Sequence, residues 1–342
     1  MKNTDRHTGT SERVPTLADV AREAGVAIST ASRSFTNPPR VNARTRERIV
    51  EAADRLGYRP NALARALESG RTRTVGLVVS DITNPHFFGL IRGAEQQAAT
   101  AGYTLVLADT RQSPERELEV IARISSFVDG FILAASRLPT DKLSAKIDNK
   151  PVVLVNRQVP GVPSVVTDHV DGPRHVVEHL HSLGHRRLVF LGGPRQSWSG
   201  AMRWNAVRER ATTLGMEASL LGPFPPSIEG GPAAADAALG AGATAVIAHN
   251  DLLAIGALRR FAERGVGIPE QVSVVGFDDI FGSDFCTPPL TTLAGPLEMV
   301  GRSAVDLVLA ADRPNRGELI PQLTAPAHLV IRSTTGPAIS PA

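Results

Sequence analysis

After Arg73, short runs of β-branched and apolar residues alternate with longer stretches of helical periodicity. This alternation restricts the fold more than any other feature. The pattern predicts strands at Thr74–Ser80, Thr104–Ala108, Gly130–Leu133, Val152–Val155, Leu188–Leu191, Ala245–Ala248 and Val272–Phe277. Helical spacing falls between them at Phe87–Ala101, Glu115–Phe127, Val170–Leu183, Ala201–Leu214, Pro232–Ala241 and Leu252–Arg264. Strand–helix alternation of this kind builds parallel sheets covered by helices on both faces. Runs such as Leu77-Val78-Val79 and Val274-Val275 fit strands buried on both sides. About 260 residues is too long for one open sheet, so two doubly wound parallel-sheet lobes are expected. Ligands of such α/β folds bind beyond the carboxyl ends of the strands.

The N-terminal part reads differently. Residues 1–14 are polar and expected to be a disordered tail. Thr16, with Asp19 three residues on, can cap a first helix that Gly25 ends. Ile28–Phe35 reads as a second short helix, and the two prolines in Thr36-Asn37-Pro38-Pro39-Arg40 force a loop. Asn42 caps a third helix, Ala43–Leu56, and Gly57 stops it. Ala62–Glu68 could add two more turns, too few to stand alone in water, so this segment is a linker or folds on binding. Residues 1–73 carry 14 Arg and Lys against 8 Asp and Glu, whereas the remainder carries 23 against 26. A polyanion partner is therefore expected for the N-terminal segment alone. Helix, glycine turn, helix is the helix-turn-helix arrangement, whose second helix can present its first residues to base edges in the major groove. Those residues are Ala27, Ile28, Ser29 and Thr30, with Arg33 one turn on. Ile28 offers an apolar surface for a thymine methyl, and Arg33 has the fork that guanine O6 and N7 accept. On periodicity alone, a small helical bundle with a solvated charged face fits equally well.

Several chemistries are excluded. Hydrophobic residues make up 42% and charged residues 21%, the balance of an ordinary globular protein. No apolar run approaches the roughly 18 residues of a membrane span. The first residues have no apolar core, so no secretory signal is read and a cytoplasmic location is expected. A single cysteine, Cys286, rules out disulfides and a cysteine zinc site, and no base accompanies it. His175 and His179 share a helix face, with His181 and His185 nearby, but no third ligand or HExxH pattern joins them, so no metal is expected. There is no phosphate-binding glycine loop or nucleophile elbow, and neither a cofactor nor an enzymatic activity is expected.

The run TLADVAREAGVAISTASRSF followed by VNARTRERIVEAADRLGYRPNALARAL closely resembles the N-terminus of the lac repressor family of bacterial transcription regulators. The resemblance continues through VGLVVSDITNPHFF, EHLHSLGHRRLVFLGGP, HNDLLAIGALR, VSVVGFDDI and PPLTT, over roughly residues 15–332. It implies an all-α helix-turn-helix DNA-binding head over residues 15–59, a hinge helix and linker at 60–73, and a two-lobed periplasmic-binding-protein-like effector-binding and dimerisation domain at 74–332. A flexible tail is expected at 333–342.

By position, the resemblance makes Ile28 and Ser29 the main base-reading pair, with Thr30 and Arg33 beside them. Thr16, Asn42, Thr45 and Tyr58 match positions that touch phosphates or support the loop, Asn61 begins the hinge helix, and Ala64 and Leu67 enter the minor groove. In the core it marks His86, Phe87, Asn156, Arg157, Ser199, Arg203, Phe224, Asn250 and Asp278 as effector-binding. Arg203 and Asp278 would hold hydroxyls, and Phe224 or Phe87 would stack on the ligand. Ala27 stands where Ser is frequent, Thr36 where Asn is common, and Gly295 where a larger or polar residue often closes the pocket.

The implied function is a ligand-responsive regulator, a repressor by default. It would bind near-palindromic double-stranded operator DNA as a homodimer, under control of a small sugar-like effector. Only STTGPAISPA follows a last strand expected near Ala327–Arg332, too short for two coiled-coil heptads, so a dimer rather than a tetramer is expected. A sugar-binding protein or sugar-active enzyme without a DNA role is the alternative, since fold does not fix function.

Overall fold

The computed structural model describes residues 15–36, 38–59, 70–311 and 320–339. The expected tail at 1–14 and the hinge residues Asn61, Ala64 and Leu67 lie outside the described residues. The chain forms two compact units, one ending at Thr72 and the other beginning at Arg73.

The first unit contains helices α1 (Leu17–Glu23), α2 (Ile28–Thr36) and α3 (Ala43–Leu56). Thr16 and Asp19 form a reciprocal capping box at the start of α1. Gly25, at φ +63°, makes the turn into α2. Asn42 Oδ1 accepts from Arg44 N at 3.0 Å, and Gly57 closes α3 in the left-handed conformation. The small core is Val20, Ala21, Ala24, Ala31, Ile49, Ala52 and Ala53, sealed by Leu17, Val26, Phe35, Leu56 and Tyr58. Its alanines let the helices approach closely. Arg48 ties α3 to the end of α1 by donating to the carbonyl of Ala24.

The second unit has two lobes. The first-lobe strands are β1 (Thr74–Val79), β2 (Thr104–Asp109), β3 (Gly130–Ala134), β4 (Lys146–Ile147), β5 (Lys150–Val155), β6 (Ser164–Thr167) and, much later, β12 (Gln322–Ala325). The second lobe uses β7 (Arg187–Leu191), β8 (Glu217–Leu221), β9 (Ala245–Ala248), β10 (Ser273–Phe277), β11 (Thr291–Ala294) and β13 (His328–Val330). The sheet orders are β12-β6-β5-β3-β1-β2, with β4 appended to β5, and β13-β11-β10-β9-β7-β8. Every pairing is parallel except β4 with β5 and β13 with β11. Each lobe thus repeats the doubly wound order in which the chain reverses beside its first strand, leaving a crevice between β1 and β3 and another between β7 and β9.

The flanking helices are α4 (His86–Thr100), α5 (Pro114–Ile124), α6 (Asp171–Ser182), α7 (Trp198–Thr213), α8 (Gly231–Gly240), α9 (Asp251–Glu263) and α10 (Leu297–Ala310). α4 and α10 cover one face of the first sheet, and α5 packs on the other. α8 and α9 cover one face of the second sheet, α6 and α7 the other. The chain crosses between lobes three times, after β6, after β11 and between β12 and β13. Two crossings touch at Gly295, where an added Cβ would lie 2.7 Å from Thr167 Cγ2. The glycine is required by that approach, so a larger pocket-closing residue does not fit here.

The sequence pattern did not reveal β6, β8, β11, β12 or α10. It also gave a flexible tail at 333–342, and Ser333–Ile339 corrects that expectation. Thr334 is fully buried, its Oγ1 donates to Val274 O and accepts from Thr291 N, and its carbonyl accepts from Val274 N. Gly336 bonds Ser273, and Ala338 N donates to Leu183 O. The β10–β11 ladder begins only at Val275, so Thr334 supplies the partner that Val274 would otherwise lack.

Candidate functional site

In the head, α2 buries Ala31 and Ser34 and turns the other face outward. Ile28 is 55% exposed, Ser29 and Arg33 are also exposed, and Thr30 is half-buried. α2 carries no acidic residue, so the exposed face is an apolar, hydroxyl and guanidinium surface compatible with base edges and phosphates. Thr16 and Asn42 serve as helix caps, Thr45 is half-buried in the first turn of α3, and Tyr58 packs against Phe35 with ring centroids 5.9 Å apart.

In the core unit, a cleft between the lobes is lined by the carboxyl ends of the strands. Ser80 and Asp81 follow β1, Gln112 follows β2, Ala135 and Arg137 follow β3, and Asn156 follows β5. Across the cleft, Ser197 and Ser199 follow β7, Pro226 follows β8, His249 and Asn250 follow β9, and Asp278 follows β10. The cleft is open to solvent, and its empty space, the open part included, is about 470 Å³. Four lining residues, Gln112, Ala135, Asn156 and Asp278, hold left-handed φ angles of 59°, 52°, 52° and 110°. Such strain persists where surrounding structure enforces it, often at binding sites.

Arg203, on α7, is the hub. Nη2 donates to Asp278 Oδ1 at 3.0 Å, Nη1 to the carbonyl of His249 at 2.8 Å, and Nε to His169 Nδ1 at 3.4 Å. Its guanidinium lies 4.5 Å from the centre of the Phe277 ring. His169 Nε2 lies 3.3 Å from Thr167 Oγ1, which donates to Asn156 Oδ1 at 3.1 Å. Asn156 Nδ2 is 3.2 Å from His86 Nε2. His86 Nδ1 is 3.3 Å from Asp278 Oδ1, near enough for attraction but out of line for a hydrogen bond. These contacts form a closed ring of six side chains drawn from both lobes and a crossing segment.

Donor and acceptor roles in the ring are consistent in one sense only. Thr167 has one hydroxyl proton and gives it to Asn156, so it must accept from His169 Nε2–H; His169 Nδ1 is then free to accept from Arg203. Asn156 offers only N–H to His86, which leaves the His86 proton on Nδ1, facing Asp278. Both histidines must be neutral. Burial depresses the pKa of His86 despite the opposing pull of Asp278, and burial and then Arg203 hold His169 well below the usual histidine value. His249 is pushed down to about 3 by burial, with Arg203 and Arg137 adding to it. Asp251 anchors the loop carrying Asp278: its Oδ2 accepts from Ile280 N at 2.9 Å and its Oδ1 from Thr292 Oγ1 at 2.6 Å.

The structure brings His86, Phe87, Asn156, Ser199, Arg203, Asn250 and Asp278 to the cleft. It does not bring Arg157 or Phe224. Arg157 turns into the first lobe, where it donates to Ser136 O and Thr140 Oγ1. Phe224 packs on the apolar cluster beneath α8 and α9; Pro226 lines the cleft instead and accepts from Asn250 Nδ2. Sequence reading missed Arg137, Gln112, His169 and His249. The strand-end rule could have found Arg137 and His249, since both follow strands legible in the sequence.

Of the four clustered histidines, His179 Nε2 meets Thr335 Oγ1, and His185 meets Thr244, Ser273 and the Gly336 carbonyl. These contacts bind the C-terminal segment to the second lobe. Among the described residues no group of three potential metal ligands occurs, and no helix is long and apolar enough to cross a membrane.

A basic three-helix head joined to a two-lobed binding core defines a DNA-binding regulator controlled by a small ligand. Family models agree: residues 16–61 match bacterial regulatory proteins of the lacI family, and residues 177–335 match a periplasmic binding protein-like domain. The HTH-type transcriptional repressor CytR of Escherichia coli (strain K12) is 33% identical over 308 residues, covering 87% of this chain and 90% of that protein. The crystal structure of the lac repressor dimer bound to operator and the anti-inducer ONPF matches with a TM-score of 0.84 at 28% identity, covering 95% of this chain and 100% of that one. A CelR–cellobiose complex matches at 30% identity with a TM-score of 0.67, over 94% and 99%. The chain belongs to the lacI family of bacterial regulatory proteins. It is a ligand-responsive transcriptional repressor, not an enzyme.

Proposed function

We propose that the repressor binds a near-palindromic operator in the cytoplasm as a homodimer and releases it when a small sugar-like effector enters the cleft. The observation that carries this reading is the six-membered ring. Arg203, Asp278, Asn156 and His86 line the cleft; His86 meets Asp278 across the lobes at 3.3 Å, and Asn156 is linked to Arg203 through Thr167 and His169 on the crossing segment. A polyhydroxylated ligand bonded to them must compete with contacts that hold the lobes, so its affinity depends on the lobe arrangement. Only such differential affinity shifts a conformational equilibrium, with couplings of roughly 1–3 kcal/mol being typical. The cellobiose carried by the similar CelR supports the sugar class.

In the head, Ile28, Ser29, Thr30 and Arg33 read bases. Thr16, Asn42, Thr45 and Tyr58 touch phosphates or support those contacts, and minor-groove contact is assigned to Asn61, Ala64 and Leu67, which lie outside the described residues. The homodimer is supported by the solved lac repressor dimer and by exposed aromatics on the second lobe, Phe281 at 73% and Phe285 at 67%, whose rings meet edge to face at 5.0 Å. Large apolar groups held in contact at a surface mark an interaction site.

The test is a mobility-shift titration of genomic fragments with and without a panel of sugars. A discrete fragment bound far more tightly than random DNA, and released by one sugar class, is expected. Equal affinity for all fragments would refute the operator reading. A specific complex indifferent to every sugar would refute the effector.

A further inference from the structure

Two arginines, Arg137 and Arg157, are buried in the first lobe beside a single buried carboxylate, Glu117. Glu117 Oε2 accepts from the backbone N of Arg137 at 2.9 Å, and its charge acts on both guanidinium groups. Arg157 faces away from the cleft and donates to two neutral oxygens. Arg137 is placed differently. It is 92% buried, it lines the cleft, and its guanidinium makes one hydrogen bond, from Nη2 to Gln112 Oε1 at the long distance of 3.4 Å. Its buried Nε has no partner. Arg137 therefore brings to the ligand space a buried guanidinium with one long hydrogen bond and one unpartnered donor.

The opposite wall does not neutralise it. Asp278 is paired with Arg203, and His249 is neutral. On the wall of Arg137 itself, Asp81 is half-buried and held in a turn, its Oδ1 accepting from Thr83 N and Oγ1; the charges that act on Arg137 are those of Glu117 and Arg157. A buried arginine is stable only when its donors meet acceptors, and its planar fork suits two oxygens of one oxyanion. Neutral hydroxyls do not supply that pair of charged oxygens. Burial lowers the pKa of Arg137 to about 10, so it still carries its charge at neutral pH.

We propose that the effector is an anion, a sugar phosphate or a sugar acid, whose phosphate or carboxylate is received by Arg137 with Gln112 beside it. This rests on the reading of the cleft as the effector site and narrows the class of ligand. The second-lobe groups would hold the hydroxylated part, and Arg137 would select the charged end.

The test is calorimetry on the full-length protein. Hexose and pentose phosphates, aldonates and uronates are each titrated beside the neutral parent sugar, with inorganic phosphate as the minimal probe. At least one anionic ligand should bind ten or more times more tightly than its parent, and the phosphate and carboxylate arms identify which oxyanion is used. Arg137→Gln should remove that margin, and Arg137→Lys, which keeps the charge but not the fork, should retain part of it. If Arg137→Gln fails to melt cooperatively, the lysine variant and the wild-type margin decide. Neutral parents binding as tightly as their anionic forms, or an anion affinity within twofold of wild type in the folded variants, would overturn the proposal. Neutral sugars that release the operator would refute only the anion. If no sugar of either kind binds or changes operator affinity, the effector reading fails and the anion fails with it.

Discussion

Acidification tests the electrostatic reading of the cleft most directly, and His249 provides the magnitude. Its ring is wedged against Gly193 and Gly200, where added Cβ atoms would lie 2.5 and 2.7 Å from ring carbons. Its Nδ1 has no partner, and Arg203 and Arg137 stand near enough to oppose a third charge. The folded-state pKa is about 3 against an ordinary value of 6.5. Between these values the unfolded chain holds a proton that the folded chain does not, so stability falls as pH falls below about 6.5. The loss approaches 1.36 kcal/mol per pH unit, or about 2 kcal/mol between pH 7 and pH 5. Buried His86 and His169 act in the same direction. Glu117 and Asp251, whose pKa values burial raises, act in the opposite direction by taking up protons in the folded state first. The difference between wild type and His249→Gln isolates the one group. Urea unfolding at pH 7, 6 and 5 can be followed by fluorescence, because both tryptophans, Trp198 and Trp204, sit on α7 in the core unit. The stability gap between the two proteins should change by about 2 kcal/mol in favour of the variant from pH 7 to pH 5. A change below about 0.5 kcal/mol would refute a neutral, desolvated His249.

Arg203→Ala strips the partner from Asp278, whose side chain is 6% exposed, and should destabilise the core by roughly 3–5 kcal/mol in urea unfolding; a loss under about 1 kcal/mol would contradict the ion pair's burial. Arg33→Ala should weaken operator binding by roughly 1–3 kcal/mol while leaving random DNA within the effect of one lost charge, and equal losses on both would remove its base-reading role. Thr334→Val leaves the Val274 carbonyl and the Thr291 N–H without that hydroxyl, at a cost of about 1–3 kcal/mol, and an unchanged melting midpoint would show that the C-terminal segment is dispensable. Sedimentation should give twice the 36.3 kDa chain mass, and Phe281→Ser combined with Phe285→Ser should shift it toward the monomer; a persistent dimer would move the interface elsewhere.

What could be read from the chain alone was what short-range chemistry decides. The caps at Thr16 and Asn42, the left-handed stops at Gly25 and Gly57, and the apolar central strands are written in residues a few positions apart. The two-lobe architecture followed from strand–helix alternation and length. β8, by contrast, is a half-exposed edge without alternation and carries no periodic signal, whereas α10 does carry one, with Val300, Ala304, Val305 and Val308 buried at helical spacing and Glu298 and Asp306 exposed. The resemblance named seven residues that do reach the cleft, and it misplaced Arg157 and Phe224, because a match in sequence position says nothing of the direction in which a side chain leaves its loop.

The sequence by itself determined the local elements, the basic head and the class of fold, since each depends on neighbours along the chain. Only the tertiary structure decided the ring and the sparse bonding of buried Arg137. The ring joins His86, Asn156, Thr167, His169, Arg203 and Asp278, which come together because the chain crosses three times between two sheets. Whether an arginine is a solvated surface charge or a buried cation awaiting an anion depends on how many acceptors packing places around it, and no pattern along the chain encodes that number.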